Sequence, residues 1–254
     1  MNSSILNLRT WLIGSMGMGF LILSALIWNP TTQTYVARLD TAAKITASQY
    51  MPSPSGSSKR DSKVKLLSVQ TGDLDPHALK LGLAAYDKAV KQGITQEKIL
   101  TIVDFSKPST QPRLWVIDLE NNRVLHKEYV AHGRNSGENY ATSFSNHPSS
   151  NKSSLGLYVT DQTYSGKHGY SLKLNGLEKG FNDKAQSRAI VMHSAEYVSQ
   201  ATIKAQGRLG RSQGCLALNP AVSKKVIDTI KNRTVIFVYH PTAEWMNNSR
   251  FLMS

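Results

Sequence analysis

Short runs of β-branched and aromatic residues, separated by turn residues, constrain the fold of this chain more than any other feature. They recur between residues 99 and 240, and the turn "ENN" joins "RLWVIDL" (113–119) to "RVLHKEYVAHG" (123–133). Runs of this kind predict strands, and a short polar link between two of them predicts a β-hairpin. The other predicted strands are 99–106, 156–166, 170–177, 187–195 and 234–240. The sequence therefore predicts a mainly β domain.

Two segments have the apolar spacing of helices instead. Asp75 and Pro76 are suited to begin the first helix, and Gly93 is suited to end it. The second predicted helix, 221–232, is amphipathic. We therefore predict a folded domain over residues 73–243, in which a few short helices accompany the strands. A C-terminal tail, 244–254, is predicted to follow it.

The N-terminal part of the chain has a different composition. Residues 11–28, "WLIGSMGMGFLILSALIW", form an uncharged apolar run that follows Arg9. Its length lies between that of the apolar core of a signal peptide and that of a short membrane span. We predict a signal peptide or membrane anchor over 1–28, with an uncleaved hydrophobic helix favoured. Over 29–72 we predict a flexible linker that is rich in Ser, Thr, Pro and Lys. The protein is thus expected in the periplasm or cell envelope, anchored to the inner membrane if the segment is retained.

The net charge of the chain limits the classes of partner that it can bind. The formal net charge is +13, which is compatible with nucleic acid, an anionic membrane surface or an acidic polymer. The basic residues are scattered, and the sequence has neither a basic helix nor an aromatic-rich RNA-binding strand. Nucleic acid is therefore not predicted as a partner.

The single cysteine, Cys215, follows the basic, glycine-punctuated loop "GRLGRSQG" (207–214). An exported protein usually pairs its cysteines, and one cysteine cannot pair within its own chain. An intermolecular bridge, an inert buried thiol and a reactive thiol all remain open from this residue alone. Only the residues around Cys215 can distinguish among these three interpretations of the thiol.

His193, at the end of a predicted apolar strand, is the natural partner for Cys215. A neighbouring histidine assists formation of a thiolate, and amides at a glycine turn such as Gly214 are suited to hold an oxyanion. Arg208 and Arg211 are expected to depress the pKa of the thiol and to bind a carboxylate. This set supplies a nucleophile, a base, oxyanion donors and an anion anchor, although Cys/His pairs at this spacing also occur by accident.

These residues resemble a known pattern. "MHSA", followed by "RSQGC", is similar to the catalytic pattern of L,D-transpeptidases, the YkuD-type cysteine enzymes of bacterial cell walls. The blocks "SSLGLYVT", "YSGKHGYSLKLNGLE" and "RAIVMHSAEYVS" resemble a divergent murein branch with a GRxGRSxGC loop, and the resemblance covers about residues 75–240. The chain departs from the family pattern at Gln213, where most members have His, and at Ala217. The resemblance implies a mixed β-sheet sandwich with a few short helices.

The resemblance also implies roles. Cys215 would be the acylated nucleophile and His193 its base, oriented by a backbone carbonyl, while the amides of Gly214 and Cys215 would form the oxyanion hole. Ser212 is expected to shape the loop. The implied reaction is attack on an L,D peptide bond of a peptidoglycan stem, followed by transfer to an amine of another stem. Further candidates for substrate contact are Arg188, Ser194, Arg208, Arg211 and Gln213, with a solvated side chain favoured for Arg188.

Two alternatives to transpeptidation stay open. Water as acceptor would make the protein an L,D-carboxypeptidase or endopeptidase, and loss of turnover would leave a wall-binding protein, an alternative that Gln213 favours. Neither a metal nor another cofactor is predicted, because His132, His147 and Cys215 lack the close spacing of zinc ligands. The turn that contains Tyr164, Lys167 and His168 is interpreted as an ordinary hairpin turn, although it has the position to border a cleft.

Overall fold

The computed structural model describes residues 56–253. The strands in this part of the chain are β1 Ile99–Asp104, β2 Leu114–Asp118, β3 Arg123–Glu128, β4 Val130–Ala131, β5 Gly156–Gly166, β6 Gly169–Gly176, β7 Val191–Ser194, β8 Leu216–Leu218 and β9 Val235–Tyr239. The helices are α1 Gly56–Thr71, α2 Pro76–Lys91, α3 Gln200–Gln206, α4 Pro220–Ile230 and α5 Ala243–Asn248. The predicted hydrophobic segment 1–28 and most of the predicted linker lie outside the described residues.

All nine strands belong to one mixed sheet, in the order β3-β2-β1-β9-β5-β6-β7-β8-β4. The pairs β1–β9 and β7–β8 are parallel, and the other pairs are antiparallel. The "ENN" turn joins β2 to β3 as predicted, with Asn122 in the left-handed region at a φ of 51°. The prediction of a mainly β fold with a mixed sheet and a few short helices is confirmed.

Helix α2 attaches to the sheet through the stripe that its sequence predicts. Asp75 caps it by accepting a hydrogen bond from the backbone N–H of His77 at 2.8 Å. Leu79 and Leu83 are buried, and Gly82 lies so close to Ile102 that an added Cβ would approach its side chain to 2.9 Å. A larger residue at position 82 would therefore push the helix away from β1.

Helix α1 replaces the last part of the predicted linker. Composition predicts a flexible segment up to residue 72, but Gly56–Thr71 is helical. Leu67 is fully buried in the core, and Thr71 is buried with its carbonyl accepting a hydrogen bond from the indole of Trp115 at 3.1 Å. The prediction for residues 56–71 was wrong because the two buried positions contribute little to a composition dominated by Ser and Lys. Within residues 56–253 no helix has the length and apolarity that crossing a bilayer demands.

The predicted C-terminal tail also packs into the core. Trp245, in α5, is 1% exposed, and Phe251 is buried beside it in the main hydrophobic cluster. The Trp245 indole donates a hydrogen bond to the carboxyl of Glu178 at 3.1 Å, and the Leu157 amide donates to the same carboxyl at 2.7 Å. Burial raises the pKa of Glu178. Residues 243–251 are therefore part of the domain.

Substitution of Trp245 by Ala is expected to destabilise the domain by about 3–5 kcal/mol, because it empties a large buried site and leaves Glu178 without one of its donors. Urea denaturation followed by tryptophan fluorescence and circular dichroism measures this loss. Met253→Ala, at a side chain that is 55% exposed, is the matched control and should change the free energy of unfolding little. Equal free energies of unfolding for the two variants would mean that Trp245 does not stabilise the domain.

Candidate active site

The parallel pairing of β7 with β8 places His193 and Cys215 on the same side of the sheet. Met192 is opposite Leu216 in this pair, and both side chains are buried in the core. Side chains alternate between the two faces along a strand. His193 follows Met192 and Cys215 precedes Leu216, so both point away from the core. This juxtaposition agrees with the pairing that the sequence predicts.

Both side chains line a cleft of about 570 Å³. Of the predicted site residues, Arg188, Arg211, Ser212 and Gln213 also line it, whereas Arg208, Ser194 and Gly214 do not. The lining includes the basic side chains of Lys167, Arg188 and Arg211 and contains no Asp or Glu. The remaining lining residues are Ser149, Asn151, Tyr164, His168, Ala189, Val191 and Tyr197. Arg211 is paired with Glu138, which is outside the lining, so Lys167 and Arg188 are the cations that favour a ligand with carboxylates over a cationic one.

The imidazole of His193 is oriented by a backbone carbonyl, as predicted. Its Nδ1 lies 2.8 Å from the carbonyl oxygen of Ser194. A carbonyl oxygen only accepts hydrogen bonds, so this contact assigns the proton to Nδ1 and leaves the lone pair on Nε2. Burial lowers the pKa of His193, and nearby His168 adds to the lowering. The ring is therefore neutral near pH 7 and able to accept a proton.

The Cys215 thiol is only partly exposed. Burial raises its pKa, while a hydrogen bond from the Val191 amide and the charge of Arg188 oppose that rise. The thiol donates a hydrogen bond to the carbonyl of Ala189 at 3.6 Å, and not to His193. Ala189 has a φ of 53°, a left-handed conformation that is uncommon for residues other than glycine. A protonated thiol beside a neutral histidine is the resting arrangement, and reaction requires the thiol to turn toward the imidazole.

The Ser212 hydroxyl holds the loop before Cys215 together, which agrees with a loop-shaping role. It donates to the carbonyl of Cys215 at 2.8 Å and accepts from the amide of Gly214 at 3.0 Å. The second bond corrects the oxyanion role predicted for Gly214, because its amide is engaged within the loop and not directed at a substrate. Gly214 has a φ of 122°, and an added Cβ would meet the carbonyl oxygen of Lys152 at 2.8 Å. Glycine is therefore required here for its conformation and its size.

Arg188 fixes the segment 145–154 beside residues 207–215, which we call the catalytic loop and to which Ser153 donates a hydrogen bond at the Gly214 carbonyl, at 3.4 Å. One terminal nitrogen donates to the Ser145 carbonyl at 2.8 Å and the Ser154 hydroxyl at 2.5 Å, and the other donates to the Lys152 carbonyl at 2.7 Å and the Ser150 hydroxyl at 3.2 Å. These contacts use the four N–H bonds of the two terminal nitrogens. Both the candidate role of Arg188 in substrate contact and the favoured solvated side chain are corrected, because its terminal nitrogens are bound to protein oxygens. Its charge still lies beside the thiol, since it opposes the rise in the pKa of Cys215.

Arg208 and Arg211 have a different role from the predicted one. The Arg208 guanidinium lies 2.8 Å from the carboxylate of Glu138, and that of Arg211 lies 2.5 Å from it. Arg211 also donates to the carbonyls of Arg134 and Gly137, both at 3.1 Å. Both cations are thereby committed to the 134–138 loop. The expectation that they depress the pKa of the thiol is wrong, because Arg188 is the arginine that does so.

The hairpin between β5 and β6 borders the cleft, although its turn is interpreted from sequence as an ordinary one. Tyr164, Lys167 and His168 all line the opening, and the Ser194 hydroxyl donates to the His168 carbonyl at 3.3 Å. Tyr197 is a residue that sequence reasoning missed, and burial raises its pKa to about 12. Gln213 is exposed at the cleft. These side chains lie far apart in sequence, and only the fold brings them together.

His132 is buried beneath the loop that precedes Cys215 and is not among the residues that line the cleft. Its Nδ1 accepts a hydrogen bond from the fully buried Arg113 at 2.7 Å, and its carbonyl accepts from the amide of Ser212 at 2.9 Å. Burial lowers the pKa of His132 to about 4. Within residues 56–253, no group of three or more His, Cys, Asp or Glu side chains is arranged to hold a metal ion.

One protein-family sequence model matches most of this chain. A sequence model of the family described as "L,D-transpeptidase catalytic domain" matches residues 70–239. A search of curated proteins found no match.

The chain is also similar to several solved structures. One is an L,D-transpeptidase from Mycobacterium smegmatis, with 14% identity, a TM-score of 0.36 and coverage of 56% of this chain and 59% of that chain. Another is L,D-transpeptidase 3 from Mycobacterium tuberculosis, with 12% identity, a TM-score of 0.37 and coverage of 56% and 61%. A third is Bd1075 from Bdellovibrio bacteriovorus, with 16% identity, a TM-score of 0.35 and coverage of 56% and 48%. The chain therefore spans about three fifths of the first two structures and about half of the third, and scores this low support no conclusion about activity.

Substitution of Arg188 by Met should raise the pKa of the Cys215 thiol further and loosen the 145–154 segment. We expect alkylation by iodoacetamide near neutral pH to slow by about threefold to tenfold, which corresponds to roughly half to one pKa unit. Arg208→Met is the matched control and should leave the alkylation rate unchanged, because Arg208 pairs with Glu138. A larger effect at Arg208 than at Arg188 would contradict this assignment of the cation.

Proposed function

The chain belongs to the L,D-transpeptidase catalytic domain family, and on that basis we propose that it is a cysteine acyltransferase that acts on peptidoglycan stem peptides. One observation carries the proposal: the only cysteine and a neutral, carbonyl-oriented histidine share a basic cleft whose lining has no acidic side chain. An inert thiol would need neither the histidine nor the opening. A stem peptide carries carboxylates, so its charge complements the cleft.

The proposed reaction has two halves. In the first, Nε2 of His193 takes the proton of the Cys215 thiol, and the sulfur attacks the carbonyl carbon of an L,D peptide bond. The carbon–nitrogen bond breaks, His193 returns the proton to the leaving amine, and a thioester remains on Cys215. In the second half an amine of another stem attacks the thioester carbonyl carbon, the carbon–sulfur bond breaks, and His193 passes the proton of the amine to the sulfur, which regenerates the thiol. The Cys215 amide is the proposed donor to the oxyanion, since the Gly214 amide is bound to Ser212.

The scissile bond that we propose lies between diaminopimelate and D-Ala, so D-Ala is the leaving group. Water in place of the second amine would give carboxypeptidase or endopeptidase activity with the same groups. The exposed Gln213 lacks a titratable group, so it assists either reaction only by hydrogen bonding. The proposed location is the periplasm or cell envelope, supported by the apolar run 11–28.

Incubation of the purified full chain with a disaccharide tetrapeptide, followed by mass spectrometry, tests the acceptor. Crosslinked dimers indicate transfer, whereas shortened stems alone indicate hydrolysis. Cys215→Ala is expected to abolish both products, because no other residue supplies the nucleophile. His193→Ala should reduce the rate by about 10²–10⁴-fold. Arg208→Met is the folded control and should retain the activity.

The non-catalytic alternative predicts a different result. A protein that only binds the wall would form no covalent adduct with a carbapenem, whereas the proposed enzyme gains the mass of the opened β-lactam on Cys215. Cys215→Ala should lose this adduct and still sediment with insoluble peptidoglycan. Wall binding without any adduct in the unsubstituted protein would contradict the enzymatic proposal.

The pH dependence of acylation follows from the lowered pKa of His193. A base with a lowered pKa stays unprotonated to a lower pH, so we expect the rate to remain high at pH 7 and to fall only below the ordinary histidine value of 6.5. Carbapenem acylation measured between about pH 4.5 and 9 provides the profile. A midpoint above 6.5 on the acid side would show that burial does not control this imidazole.

A further inference from the structure

A second histidine lies directly against His193. The ring centroids of His168 and His193 are 4.4 Å apart, and the ring planes differ by 25°, which is a stacked geometry. His168 is exposed, whereas His193 is 3% exposed. One face of the buried imidazole is therefore covered by an imidazole that water can reach.

The backbone around His168 is fixed relative to His193. Gly166 pairs with Gly169 across the tip of the β5–β6 hairpin, and Gly169 has a φ of 71°, which a tight turn requires. Ser194 connects the two histidines, because its hydroxyl donates to the His168 carbonyl and its own carbonyl lies against Nδ1 of His193. The backbone of the hairpin and the contacts of Ser194 therefore hold the two histidine rings in the stacked position.

We propose that His168 is a positioning residue for His193: its stacked ring holds the plane of the base and, through the same contact, couples to it electrostatically. The inference rests on the proposed function, in which His193 is the base. The hydrogen bond at Nδ1 holds one atom of the buried imidazole, and the ring of His168 packs against its face. The two contacts together hold the ring plane and keep Nε2 directed into the cleft.

The electrostatic part follows from the surroundings of the pair. A positive charge on one ring disfavours a second one at 4.4 Å, and His168 is one of the groups that lower the pKa of His193, after burial. The other titratable or charged groups that line the cleft are Tyr164 and Lys167 on the hairpin, Arg188 and Tyr197 on the segments beside β7, and Arg211 and Cys215 on the catalytic loop. The lining residues include no Asp or Glu, so no carboxylate among them offsets the effect of His168 on His193.

Two variants separate the stacking from the charge. His168→Phe keeps an aromatic ring beside His193 but cannot be protonated, whereas His168→Ala removes both properties. His147→Phe, at an exposed histidine outside the catalytic cleft, is the matched control. The full chain, purified in detergent micelles and labelled with ¹³C in its histidine rings, is titrated by NMR. The His193 signal is assigned by its loss in His193→Gln, and alkylation of Cys215 by iodoacetamide is followed over the same pH range.

His168→Phe is expected to raise the titration midpoint of His193 by about one pH unit and to move the acid limb of alkylation by the same amount. His168→Ala should in addition slow alkylation near pH 8 by about threefold to tenfold, because the base is no longer held in plane. His147→Phe should change neither quantity.

An unchanged His193 midpoint in His168→Phe, or an unchanged alkylation rate in His168→Ala, would overturn the inference. Neither readout requires acyl transfer. If the protein neither acylates nor crosslinks stem peptides, the proposed function is refuted. The coupling between His168 and His193 is tested separately, by the NMR titration of His193.

Discussion

The parallel pairing of two very short strands is the constraint on which the site depends. The register of β7 against β8 sets His193 opposite Ala217, so the imidazole and the sulfur of Cys215 emerge on one face. A shift by one residue would turn one of them into the core. The buried Met192 and Leu216 oppose such a shift, because it would expose one of these apolar side chains. The packing of Met192 and Leu216 on one face of the sheet therefore fixes the positions of His193 and Cys215 on the other.

Burial acts on the two reacting groups in opposite senses. It lowers the pKa of His193 and raises the pKa of Cys215, so it favours the uncharged form of both. The positive charge of Arg188 favours the thiolate, and the donors of its two terminal nitrogens are directed at neutral oxygens of the protein. The arginine thereby contributes charge without a carboxylate to cancel it. The proton can move from the Cys215 sulfur to Nε2 of His193 only when the two atoms are close. The thiolate can therefore form at the moment when a bound peptide is in place to react with it.

Sequence patterns predicted the long elements well and the short ones poorly. The strands with clear alternation, and the capped helix α2, lie where they were expected, because local composition determines them. The three-residue strand β8 and the helix α1 were missed, since tertiary packing decides them. His193 and Cys215 were predicted from their types and their setting. The relevant cation was misassigned to Arg208 and Arg211, which are near the cysteine in sequence, because Glu138 reaches them from another loop.

The central position of β9 has a consequence for how the domain folds. It lies between β1, to which it is parallel, and β5, so within residues 56–253 it is the strand that joins β1, β2 and β3 to the rest of the sheet. Leu100 pairs with Val235, a contact between residues that are distant along the chain. Such a topology has high contact order and folds slowly, because much loop entropy is lost before the first of these contacts forms. Without β9 in place, the edges of β1 and β5 would both be unpaired, and an unpaired strand edge is a template for pairing with another chain.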